Sequence, residues 1–130
     1  MRSKLRIGIV CSLGLVLVAV TLFYPVSNTL YVQKNNMNIG KIKAGNKIHH
    51  TFVVRNVCFR TVTIGYVDPS CTCTVAHVSL YNIKPFAVSK ISIVIDTTTL
   101  PQGRNETGAV LMLSDNKVAA FLKVGFTLRQ

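Results

Sequence analysis

Alternation with a period of two is the feature that most narrows what this chain can become. Ile48, His50, Phe52 and Val54 share one parity, and Lys47, His49, Thr51 and Arg55 share the other, with Val53 the exception. Val62, Ile64 and Tyr66 alternate with Thr61, Thr63 and Gly65, and Ile91, Ile93 and Ile95 alternate with Lys90, Ser92 and Val94. Val118, Ala120, Leu122, Val124, Phe126 and Leu128 carry the same pattern to the C-terminal end of the sequence. Side chains of a strand point to opposite faces in turn, so such segments bury one face and wet the other. Ala109 to Leu113 is apolar at every position and is expected in mid-sheet.

Turn chemistry divides these segments. Ala44-Gly45-Asn46, Asp68-Pro69-Ser70, Asn82 to Phe86 with Pro85, and Leu100-Pro101-Gln102-Gly103 are breaks, and Asp115-Asn116 reads as a tight hairpin turn. Regularly spaced strands without an intervening amphipathic helix predict an all-β fold, an immunoglobulin-like antiparallel β-sandwich of about 7–8 strands over residues 37–130. Nearly half the residues (49%) are hydrophobic, which excludes a disordered chain.

The N-terminus has a different logic. Arg2, Lys4 and Arg6 precede Ile7 to Tyr24, which are 18 residues without a charge. As a helix they would be about 27 Å long, near the hydrocarbon thickness of a bilayer. An uncleaved anchor and a cleaved secretory signal compete. Cleavage prefers small residues at the last and third-last positions before the cut, and Pro25 spoils a cut after Ser27. The expectation is therefore one N-terminal transmembrane helix within residues 1–27, a tether over 28–36, and the sandwich over 37–130. The basic flank should stay in the cytoplasm, placing the domain outside the inner (cytoplasmic) membrane, single-pass and periplasmic, with a cleaved, secreted form as the alternative. Cys11 lies inside the apolar run and follows Val10, so it reads as a small apolar residue rather than a lipidated one.

Several segments in order resemble an exported bacterial family. They are Met37-Asn-Ile-Gly-Lys-Ile-Lys-Ala-Gly45, Phe52-Val-Val-Arg-Asn56, Val62-Thr-Ile64, Ser70-Cys-Thr-Cys-Thr74, Pro85, Ile91-Ser-Ile-Val-Ile-Asp96 and Gly103. The sequence is similar to domain-of-unknown-function family 1573, whose hallmark is serine-cysteine-glycine-cysteine-threonine. The resemblance implies an immunoglobulin-like sandwich, related in shape to major-sperm-protein-like and ciliary ASH domains, and no established activity. Thr72 stands where that family has Gly, Cys58 near its usual turn Gly, and Phe86 where Gly usually follows the proline. Thr72 implies a Cys-x-Cys segment more extended than in relatives, because Gly allows backbone shapes that Thr does not.

Candidate chemistry is confined to the cysteines. On an extended backbone Cys71 and Cys73 face one side with Cα atoms about 6.5–7 Å apart, the edge of disulfide reach. His77 has the same parity, so Cys71, Cys73 and His77 could offer thiolate and imidazole to copper or zinc. Three readings stay open: a small apolar plug, a disulfide that needs a kink, and a metal or redox site. Cys58 and Cys71 lie at opposite ends of a strand more than about 20 Å long, so Cys58 is expected as a lone thiol. His49 and His50 are adjacent and point to opposite faces, so they cannot share a metal, and His50 belongs to the apolar face.

Catalysis finds no support. Asp68, Asp96, Glu106 and Asp115 all fall at expected strand ends or turns, without general acid and base spacing. Without the three leader charges the chain keeps 12 basic residues against four acidic ones, dispersed rather than clustered. That pattern, together with export, argues against nucleic acid and suits a soluble surface or attraction to anionic lipid. The functional expectation is a non-catalytic, membrane-anchored interaction module, held in the cytoplasmic membrane by residues 7–24, with an envelope protein as partner and no cofactor. The alternative is thiol-redox or soft-metal binding at the Cys-x-Cys motif.

Overall fold

The structure, a computed structural model, describes residues 29–130. The transmembrane helix expected within residues 1–27 lies outside the described residues. Nine strands follow in order: β1 Leu30–Gln33, β2 Asn36–Lys43, β3 Lys47–Asn56, β4 Val62–Pro69, β5 Thr74–Val78, β6 Asn82–Ile83, β7 Val88–Asp96, β8 Gly103–Leu113 and β9 Val118–Arg129. Among the described residues there is no helix. The strands form a four-stranded sheet, β1-β3-β7-β5, and a five-stranded sheet, β2-β9-β8-β4-β6.

The alternation fixes which side of each strand meets the core. Phe52, Val54, Ile91, Ile93 and Ile95 of the first sheet face Ile64, Leu111, Leu122, Val124 and Phe126 of the second, all at 2% exposure or less. Ile93 lies opposite His50 on one side and Ala76 on the other, at the middle of its sheet. Each fully buried Ile or Leu contributes roughly 1.5–3 kcal/mol over an exposed one. The apolar stretch Ala109 to Leu113 is in mid-sheet, between β4 and β9.

Four expectations need correction. Residues 30–33, expected as part of a tether, form β1, because Leu30 is buried and Val32 packs on the core while β3 supplies its hydrogen bonds. The sheets are not wholly antiparallel, since β2 runs parallel to β9 from Asn36–Lys123 to Lys43–Arg129. Among the described residues the strands number nine, one of them the two-residue β6 taken from the expected Asn82 to Phe86 break. Asp68 and Pro69 belong to β4, so the turn starts two residues later, at Ser70. The Asp115-Asn116 turn is present: Asn116 takes a φ of 61°, and Leu113 N–H donates to the Lys117 carbonyl at 2.9 Å.

His50 sits on the inner face, half-buried, with its ring edge-on to Phe52 at 4.6 Å between centroids. Desolvation by burial lowers its pKa from the ordinary value. Stability from this residue is therefore complete above about 6.5 and falls as pH drops below it, because the unfolded chain takes up a proton that the folded one resists. His50→Gln is expected to flatten that part of a stability-against-pH curve, and an unchanged slope would contradict the assignment.

Candidate functional site

The Cys-x-Cys segment is the crossover from β4 in one sheet to β5 in the other. Ser70 fixes its start: its N–H and Oγ both donate to the Gly108 carbonyl (2.9 and 3.0 Å), and its Oγ accepts from Gly108 N–H at 2.8 Å. The Asp96 N–H donates to the Cys73 carbonyl at 2.8 Å and fixes its end. Between these anchors the chain turns, and the Thr74 N–H reaches back to the Cys71 carbonyl at 3.1 Å.

The turn brings the Cys71 and Cys73 Cα atoms to 5.2 Å, and the two are joined in a disulfide. The segment is thus a turn and not the extended backbone on which the two Cα atoms would stand about 6.5–7 Å apart. Thr72 is absent from the positive-φ positions, so a β-branched residue fits here without the freedom of glycine. A chain of hydroxyls runs beneath the bridge: Ser70 Oγ to Thr107 Oγ1 and Thr107 Oγ1 to Thr74 Oγ1, each 3.1 Å. Thr74 and Thr107 are buried, and their hydroxyls satisfy one another there. No local pattern marks this chain of hydroxyls, because both of its links cross more than 30 positions to reach Thr107.

His77 does not join the cysteines. It is exposed on β5, whose inward positions are Thr74, Ala76 and Val78, whereas Cys73 precedes the strand and belongs to the turn. The parity that linked 71, 73 and 77 is broken at that turn. Among the described residues no group of three His, Cys, Asp or Glu side chains is placed to hold a metal ion. Cys58 is a free thiol, half-buried, whose N–H donates to Asn56 Oδ1 at 2.8 Å.

A disulfide that closes so short a loop removes little entropy from the unfolded chain. The Cys71→Ser/Cys73→Ser pair is expected to lose only about 1.5 kcal/mol of stability in urea unfolding. A loss of twice that or more would show that the bridge, rather than the hydroxyls and backbone anchors, holds the crossover.

The opposite end is organised by Asn56, which is fully buried. Its amide nitrogen donates to the carbonyls of Arg60 (2.7 Å), Ile83 (2.9 Å) and Lys84 (3.2 Å). One side chain thereby ties the loop after β3 to the loop before β7. Those loops carry Phe59 and Phe86, whose rings meet edge-to-face at 5.1 Å between centroids. Thr29, Val57 to Thr63 and the β8–β9 hairpin border an open groove of about 1010 Å³ at this end. Sequence reasoning marked Asn56 and Phe86 as motif positions without seeing what either does.

No curated protein matches the chain. Among solved structures it is similar to a protein of unknown function from Porphyromonas gingivalis W83, at 12% identity and a TM-score of 0.63, over 83% of this chain and 50% of that one. It is similar to the ASH / PapD-like domain of human CEP192 at 10% identity and a TM-score of 0.59, over 82% and 89%. It is also similar to the secreted serine protease VesC from Vibrio cholerae at 12% identity and a TM-score of 0.58, over 78% and 23%. The chain thus spans half of the first protein's length and under a quarter of the protease. At these identities the likeness is one of fold. Residues 30–124, most of the chain, match a family described as Protein of unknown function (DUF1573), and the chain belongs to that family.

Proposed function

We propose that this chain is a membrane-anchored β-sandwich that acts by binding another envelope protein outside the cytoplasmic membrane, and not by catalysis. The observation that carries the binding reading is the outer face of the five-stranded sheet. Tyr66 and Phe121 are about half exposed there, with Met112 beside Tyr66 and Val110 beside Phe121 in register. Exposed aromatic and aliphatic side chains gathered on one sheet face are what a protein-binding surface requires. The carboxylates point the same way. Asp115 pairs with Lys117 at 2.9 Å and Glu106 with Lys123 at 3.3 Å. Hydrogen bonds from the Thr98 backbone and hydroxyl hold Asp96 below the ordinary carboxylate range, the reverse of what a general acid needs.

A photo-crosslinker at Tyr66 in native membranes tests this reading. One discrete adduct is expected, lost when Phe121→Glu is added while the fold is retained. No adduct, or one equally strong from a crosslinker at Thr51 on the other sheet, would contradict it.

A second reading rests on the bridge itself: Cys71 and Cys73 could cycle between dithiol and disulfide. Rapid alkylation of the protein in membranes followed by intact mass separates the two. A substantial dithiol fraction supports exchange, and complete oxidation makes the bridge structural. The metal version would draw on His77, which is exposed on β5, together with the reduced thiols.

A further inference from the structure

The sandwich end that carries Phe59 and Phe86 displays aromatic surface that the core does not use. Phe59 is 90% exposed and Phe86 50% exposed, with Val57 beside them at 39%. Phe86 also holds a φ of 60°, a conformation costly for a bulky side chain and free for glycine. An exposed aromatic kept at a strained position points to a function for the ring. Asn56 binds the carbonyls of Arg60 and Lys84, so both loops are held rigidly with the rings outward. Arg60 and Lys84 are themselves exposed beside the rings, and Lys117 on the neighbouring hairpin is balanced by Asp115. The end is therefore apolar at its tip and positive around it.

The chain also comes in here. Val57 N–H donates to the Thr29 carbonyl at 3.2 Å, which places the first described residue beside this tip. Only Pro25 to Asn28 separate Thr29 from Tyr24, the last residue of the uncharged run. Five residue steps reach at most about 18 Å. If Tyr24 lies at a bilayer surface, this end of the sandwich cannot be far from it. The Cys71–Cys73 end lies across the length of β4, roughly 26 Å away along the strand.

We infer that this end docks on the anionic lipid surface of the bilayer holding the chain's own N-terminal segment. Phe59 and Phe86 enter the boundary between headgroups and acyl chains, and Arg60 and Lys84 meet lipid phosphates. Short reach, aromatic tip and positive rim together are what interfacial binding requires. The inference rests on the anchor proposed above and adds to it a fixed orientation of the domain.

The chain has no tryptophan, so Phe59→Trp supplies a single fluorescent reporter. The full chain is reconstituted in nanodiscs containing brominated phosphatidylglycerol, with Val75→Trp, exposed near the far end, as the comparison. Phe59→Trp is expected to be quenched several-fold more than Val75→Trp. Adding Phe86→Gly, which relieves the backbone, or Arg60→Gln/Lys84→Gln should bring it down towards the comparison. Equal quenching of the two reporters overturns the inference. So does emission that responds to protein concentration and not to lipid, which would assign the pair to a second copy. Extraction of native membranes with alkaline carbonate tests the anchor separately. If the chain is released, the anchor fails, and the reporter is titrated with free vesicles of the same brominated phosphatidylglycerol. Quenching there retains the docking surface, and none removes it.

Discussion

Gly108→Ala is expected to cost about 3 kcal/mol or more, and to lower the unfolding midpoint by more than about 10 °C. A methyl group on Gly108 would run into the Leu122 carbonyl and crowd the Lys123 Cα, both of them backbone of the adjoining strand β9. Backbone cannot step aside as a long side chain can, so β8 must shift. The shift reaches the crossover, because Ser70 makes three hydrogen bonds to the Gly108 N–H and carbonyl. Gly125→Ala is the control. Its methyl would find only the Met37 carbonyl at 3.9 Å, an ordinary contact, and its cost should stay within about 1 kcal/mol. Urea unfolding of the detergent-solubilised chain measures both. Equal costs would mean that the β8–β9 approach is not as close as described.

Asn56→Ala is expected to lose about 3 kcal/mol, the second large effect. Removing the side chain leaves the buried Ile83 carbonyl and the partly buried Arg60 and Lys84 carbonyls and Cys58 N–H without their partner. Asn56→Asp should be worse than Asn56→Ala at neutral pH. A carboxylate only accepts, so three carbonyl oxygens would face a buried negative charge. Lowering the pH should recover part of the loss, because the protonated acid can donate one hydrogen bond. If Asn56→Asp were as stable as the parent at neutral pH, the amide would not be donating to those carbonyls. Either variant should also free the loops of Phe59 and Phe86 from one another, so lipid contact at Phe59 should weaken along with stability.

Much of the fold is written in local pattern, and the exceptions have physical reasons. Ile91, Ile93 and Ile95 read as one buried face because a central strand with no irregularity preserves parity along its length. β1 is missed because its four residues offer only Leu30 and Val32 as inward positions, amid polar neighbours. The parallel pairing of β2 with β9 joins segments more than 80 residues apart, and nothing local in either specifies direction.

The site was legible in part. Adjacency in sequence marks Cys71 and Cys73 as a pair, but their closeness depends on a turn set by Ser70, Gly108 and Asp96 from elsewhere in the chain. His77 shares the parity of Cys71 and Cys73 in sequence, but the turn lies between them, and parity does not carry direction across a turn. Phe59 and Phe86 meet across 27 positions through loops that Asn56 holds, and only the aromatic in place of a turn glycine hinted at it.

Hydrogen exchange along β7 tests the two-sheet account most directly. This strand is central in its sheet, paired with β3 on one side and β5 on the other, and its isoleucines are fully buried. The account predicts that amides from Ile91 to Ile95 exchange slowest among residues 29–130, slower by orders of magnitude than those of the 114–117 hairpin turn. Exchange at Ile91, Ile93 and Ile95 as fast as in that turn would contradict it.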